Sequence, residues 1–95
     1  ESDTVARLGG AEFTIILKNI SKVQDAARVA ADLIQCLQRP FPLSGHQVVI
    51  SASIGISIYP HDGKDIEVLL KCADSAMYEA KNAGKGRYCF YQRLG

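Results

Sequence analysis

The chain has 95 residues, which is room for one domain with a modest core and too few for two. Hydrophobic residues make up 47% of it, which excludes a disordered tail, and eleven basic against ten acidic residues leave a net charge of +1. That balance gives no electrostatic case for nucleic acid or a membrane surface as partner, although a few local cations could still hold a small acidic ligand. Residues 4–18 predict a β-hairpin: Val5 and Leu8 precede Gly9-Gly10, and the β-branched run "FTIIL" follows. The glycine pair supplies the positive φ of a tight two-residue turn.

Ser21 and Gln24 have capping-box spacing, and Val23, Ala26, Ala27, Ala30, Leu33, Ile34 and Leu37 recur at helical spacing, so a helix is expected over about residues 22–38. Pro40 and Pro42 in "RPFPLSGH" prevent its continuation. The stretch "QVVISASIGISIY" alternates as one long strand. Val48, Ile50, Ala52, Ile54, Ile56 and Ile58 form an apolar face, and Ser51, Ser53, Gly55 and Ser57 form a face of small residues on which another element could pack closely. After the turn "YPHDGKD", Asp65 is placed to cap a second helix with a buried stripe of Ile66, Leu69, Leu70, Ala73, Met77 and Ala80, stopped at Gly84. "RYCFY" then reads as a short strand. Hairpin, helix, strand, helix, strand is the order of an α+β or α/β sandwich with helices covering a sheet.

Cys36, Cys72 and Cys89 are odd in number and lack metal-type spacing, so reduced, mostly buried thiols in a cytoplasmic domain are expected. No run approaches the roughly 20 apolar residues of a membrane helix. The chain opens without methionine on a polar segment leading into a strand, and on this ground it is expected to be a piece of a larger protein that could itself carry membrane segments. His46 and His61 fall in turn segments without a second ligand at metal spacing, and solvent exposure accounts for them. Asp74 reads as a local hydrogen-bonding or solvent-facing residue, and Tyr78 and Tyr88 as packing residues with a hydroxyl at the surface.

Two features stand above this background. In "RLGGAEF" a glycine turn lets an anionic ligand approach the backbone, and the adjoining Glu12 carboxylate is the kind of oxygen ligand Mg²⁺ takes. In "KNAGKGR", Lys81 and Lys85 stand four apart at a helix end, as two cations about one turn apart, which suits a polyphosphate. Taken singly, each has an ordinary account: a hairpin, and lysines complementing a helix dipole.

Together with "ASIGISIYP" and "ADSAMYEAKNAGKGRYCFY", in that order, "ARLGGAEF" makes the chain resemble the GGDEF family of diguanylate cyclase domains. The resemblance implies an α+β fold like that of adenylyl cyclases and polymerase palm domains, with a ferredoxin-like sheet. It also implies condensation of two GTP into cyclic di-GMP by a homodimer with one GTP and Mg²⁺ per half-site. Carried over by position, Gly9 and Gly10 would lie against the nucleotide, with Glu12 near the metal and the reacting ribose hydroxyl. Lys81 and Lys85 would hold the terminal phosphates, and Asp3 would be the last residue of an RxxD product-inhibition site whose arginine would precede Glu1.

Ala11 stands where active members carry a metal-binding acid, and a methyl group can neither ligate Mg²⁺ nor offset triphosphate charge. The resemblance therefore implies weak or absent Mg²⁺ binding and loss of most phosphoryl-transfer activity, with GTP held weakly. It further implies that residues 1–95 are the C-terminal two-thirds of one domain. The family's central first strand and next helix, with another metal-binding acid and the guanine-reading residues, would lie upstream. Such a piece is expected to expose unpaired strand edges, and so to show partner dependence, strand exchange or poor solubility. Three functions stay open: an impaired cyclase, a GTP-sensing module regulating a fused EAL phosphodiesterase or coupled to a sensor domain, and a non-catalytic dimerisation domain.

Overall fold

The computed structural model describes residues 5–9, 12–39, 41–43, 45–48 and 51–91. Strands β1 (Val5–Gly9) and β2 (Glu12–Leu17) form the expected antiparallel hairpin, with Val5 opposite Ile16 and Gly9 opposite Glu12. Gly9 is thus a strand residue and not part of the turn, while Gly10 and Ala11 lie outside the described residues.

The first helix, α1 (Val23–Gln38), runs as its apolar spacing predicts, but the capping box does not form. A single 3-10 turn, Ile20–Lys22, precedes it, and the Asn19 side chain accepts from both the Ser21 N–H and hydroxyl at 3.0 Å. Ser21 is thereby engaged one residue before Lys22, which takes the N-cap position of α1.

The segment read as a proline-broken loop contains a second small hairpin, β3 (Phe41–Leu43) with β4 (His46–Val48), turning at Gly45 with φ 78°. His46 accordingly begins a strand. A two-stranded ribbon consists only of edges, and there a proline's missing N–H is tolerated. The single long strand expected over 47–59 is therefore two: β4, and β5 (Ser53–Ile58), with Val49 and Ile50 outside the described residues.

The second helix, α2 (Ile66–Asn82), leads into β6 (Arg87–Phe90). Asp65 occupies the N-cap position with extended backbone but makes no side-chain capping bond. Ile66 is 53% exposed and does not join the buried stripe, and Leu70 is only half-buried. Leu69, Ala73, Met77 and Ala80 are buried as expected, joined by Cys72 and Ala76. At the other end, Lys85 N–H bonds to the Ala80 carbonyl at 3.0 Å and Gly84 N–H to the Lys81 carbonyl at 3.3 Å, a Schellman stop for which Gly84 supplies the φ of 126°.

The main sheet has the order β1-β2-β5-β6, antiparallel at β1-β2 and parallel elsewhere. Within it β2 pairs directly with β5, from Glu12↔Ser53 to Leu17↔Ile58. This register aligns Phe13, Ile15 and Leu17 with Ile54, Ile56 and Ile58 on one face, where Ala26, Ala30 and Ile34 of α1 complete the core and Tyr88 and Phe90 pack at its margin. The opposite face carries Thr14, Gly55 and Ser57 and receives α2. Small residues permit a very close approach there. A Cβ at Gly55 would collide with the Ala73 carbonyl and the Met77 backbone, and Ser57 Oγ donates to the Leu69 carbonyl at 2.8 Å. The result is a three-layer α/β/α sandwich built on β2 and β5.

Candidate phosphate-contact site

The hairpin and the close seating of α2 bring two sequence-predicted site residues together. Glu12 opens β2, and its backbone is fixed on both sides by pairing with Gly9 and Ser53. Lys81 lies in the last turn of α2, immediately before the Schellman stop. Across these elements Lys81 Nζ donates to Glu12 Oε2 at 2.6 Å, a charge-assisted hydrogen bond between side chains 40% and 31% exposed. The bond and the carboxylate charge hold the Lys81 ammonium above the ordinary lysine range, burial opposing slightly.

Lys81 has a second neighbour that the sequence reading missed. The Tyr78 ring lies with its centroid 5.7 Å from Nζ, within cation–π range. Tyr78 was expected to pack but is 60% exposed, and the available signal was its i, i+3 spacing to Lys81 on a helix. Tyr88 does pack, half-buried and edge-on to Phe90 at 6.0 Å. A cleft of about 480 Å³ beside the pair is lined by Glu12, Lys71, Asp74, Ser75, Met77 and Tyr78, which gives Asp74 a place beside the site.

Lys85 does not share the helical geometry of Lys81. α2 ends at Asn82, and Lys85 follows Gly84 with φ 63°, exposed, its N–H committed to the Schellman stop. The two lysines are therefore not stacked one turn apart, because the glycine stop intervenes. Gly9 ends β1 beside Glu12, whereas Gly10, Ala11 and Asp3 lie outside the described residues.

Among the described residues no group of three or more His, Cys, Asp or Glu side chains could hold a metal ion. Of the predicted site residues described, Glu12 alone offers a carboxylate, and that carboxylate is engaged by Lys81. His61 is exposed as expected; its Nε2 stands 4.0 Å from Oδ1 of the buried Asp62. Both line or adjoin the far end of the sheet, where a second hollow contains none of the predicted site residues. All three cysteines are free, but only Cys72 is buried; Cys36 is exposed on α1 and Cys89 is half-buried, where burial first and the Glu79 charge second push its thiol up against a smaller opposing effect of Arg87. No helix among the described residues is long and apolar enough to cross a membrane.

Comparison with known proteins bears on the family and the fold. The chain is 46% identical over 90 residues to the bifunctional diguanylate cyclase/cyclic di-GMP phosphodiesterase MucR of Pseudomonas aeruginosa, covering 95% of this chain and 13% of that protein. Among solved structures, the GGDEF domain of TpbB (YfiN) from Pseudomonas aeruginosa matches with a TM-score of 0.81 and 35% identity, over 99% of this chain and 60% of that one. An EAL/GGDEF domain protein from M. capsulatus matches with a TM-score of 0.74 and 33% identity, over 98% and 61%. The chain thus spans a small part of its full-length relative and about three-fifths of the solved domains. The family described as "Diguanylate cyclase, GGDEF domain" matches residues 1–87, and with fold and relatives in accord, the chain belongs to the GGDEF domain family.

Proposed function

We propose that the chain is the C-terminal two-thirds of a degenerate GGDEF domain in a cyclic di-GMP signalling protein, able to contact a nucleotide polyphosphate but impaired as a diguanylate cyclase. The observation that carries this reading is the ion pair of Glu12 and Lys81 directly beside a signature in which Ala11 replaces an acid. In this reading Lys81, with the exposed Lys85, meets the terminal phosphates of GTP. Glu12 faces the reacting ribose hydroxyl, and the Gly9-Gly10 backbone lies against the nucleotide. Cyclisation develops charge on the transferred phosphoryl group that must be stabilised in place. A single carboxylate already paired with a lysine does not supply that stabilisation. The test is cyclic di-GMP synthesis from GTP by the intact protein carrying this domain, wild type beside Ala11→Asp. Wild type at background and a gain in Ala11→Asp are expected; robust synthesis by wild type would overturn the impairment.

A second reading, a GTP-sensing module that regulates a fused phosphodiesterase, is favoured by the bifunctional relative and the EAL/GGDEF structural neighbour. It predicts heat on titrating GTP into the intact protein and a change in its cyclic di-GMP hydrolysis. Absence of both would leave a dimerisation role.

A further inference from the structure

Lys81, read above as a phosphate contact, already holds an anion. Its ammonium lies 2.6 Å from Glu12 Oε2 and has the Tyr78 ring on another side, 5.7 Å away. We infer that Glu12 is an internal competitor for anions at Lys81, so that a polyphosphate binds there only by displacing the carboxylate. The inference rests on the reading of Lys81 as a phosphate contact and adds that its own neighbour regulates it.

Three observations carry it. First, the contact is written into the fold: the partners are 69 residues apart, one pinned between Gly9 and Ser53 in the sheet, the other held by the Schellman stop one turn on. The pair therefore persists without a ligand, unlike neighbouring charges on one helix face. Second, both side chains remain partly exposed, so an anion can reach Lys81 and Glu12 can swing to solvent. Carboxylate and phosphate oxygens want the same ammonium protons, and the carboxylate also repels an approaching polyanion. Third, Ala11 supplies no second carboxylate with which Glu12 could share a cation and so be drawn off Lys81.

The sign of the effect separates this from an assisting role. If Glu12 helped to hold the ligand, its neutralisation would weaken binding; as a competitor, its neutralisation strengthens it. Inorganic triphosphate is titrated calorimetrically, with divalent ions chelated, into wild type, Glu12→Gln, Lys81→Gln and the double variant. Glu12→Gln is expected to bind about fivefold more tightly than wild type, the scale of one partly exposed ion pair. Lys81→Gln should bind more weakly, and the double variant should show no gain over it. Affinity in Glu12→Gln equal to or below wild type overturns competition while leaving a Lys81-dependent phosphate site intact. Triphosphate binding that is insensitive to Lys81, or absent in every variant, overturns the phosphate reading and the inference with it.

A second readout does not depend on the ligand. Acylation of Lys81 by an amine-reactive ester, followed by mass spectrometry with Lys71 as internal reference, should be several-fold faster in Glu12→Gln. An unchanged rate means that Glu12 does not occupy Lys81 in solution and overturns the inference. Far-ultraviolet dichroism and melting of each variant show that the changes are local.

Discussion

Asp62 is a buried carboxylate whose two oxygens live differently. Oδ2 accepts the Ile58 N–H at 2.8 Å, while buried Oδ1 has no hydrogen bond and faces His61. The side chain therefore closes the end of β5 by giving its last amide an acceptor. Asp62→Ala orphans that amide and should cost about 2 kcal/mol in denaturant unfolding, whereas Asp62→Asn keeps an acceptor and should cost less than half as much. A larger loss in Asn than in Ala would show that charge and not the accepted bond matters.

At Lys81 the proton is held more tightly in the folded chain than in the unfolded one, because Glu12 hydrogen-bonds it and then attracts its charge. The stability this linkage contributes is fully present below the unfolded lysine range and is lost as pH rises through the folded value. Urea midpoints of wild type and Lys81→Met should thus differ by a constant amount from neutral to mildly alkaline pH and converge at strongly alkaline pH. Motif and spacing marked Glu12 and Lys81 as candidates, and the fold brings these two side chains into contact. Tyr78 was not so marked, since a tyrosine on an amphipathic helix packs far more often than it lies beneath a cation. Lys85 was misplaced because a four-residue spacing was read as helical across a glycine that ends the helix.

At the scale of elements, the helices and β5 were readable because their apolar periods persist over several turns or pleats. The β3-β4 ribbon was not: Pro42 read as a breaker, and the pairing that makes the segment a strand is not visible in local spacing. The cap of α1 also escaped the sequence, since Asn19 competes for Ser21 in a way that spacing does not reveal. The small-residue face of β5 was the more informative pattern. Gly55→Ala forces a methyl into the α2 backbone, with Met77 Cα only 2.8 Å from the new carbon, and should destabilise by at least about 3 kcal/mol. Thermal melting of the variant checks this, and a change under about 1 kcal/mol would mean that α2 is free to ride outward.

For the whole molecule, protection follows from layering. β5 has a strand on each side and a helix on each face, whereas β1 and β6 are edges and β3-β4 stands apart as a two-stranded sheet. Amide hydrogen exchange should be slowest in β5 and fastest in β1 and the β3-β4 ribbon. Slow exchange in β1 in dilute solution would instead show that another chain covers that edge, as its open ladder invites. The α+β class and the layer of helices were predictable from element order. Direct β2-β5 pairing was not, because strand order is set by long-range contacts that local spacing does not carry, here the matching faces of Phe13–Leu17 and Ile54–Ile58 in one register.

Gly55 also acts as a gauge for the distant ion pair. α2 rests on the strand at a glycine, so its standoff from the sheet is fixed by backbone thickness alone, and the contact at Met77 is one helical turn before Lys81. Its register partner Thr14 is two residues from Glu12. A displacement of α2 on the order of an ångström, as a single added methyl demands in a close-packed layer, moves the Lys81 backbone relative to Glu12, so the 2.6 Å hydrogen bond must be remade in another side-chain geometry. A position with no functional group of its own thus sets the backbone spacing across which the charged pair meets.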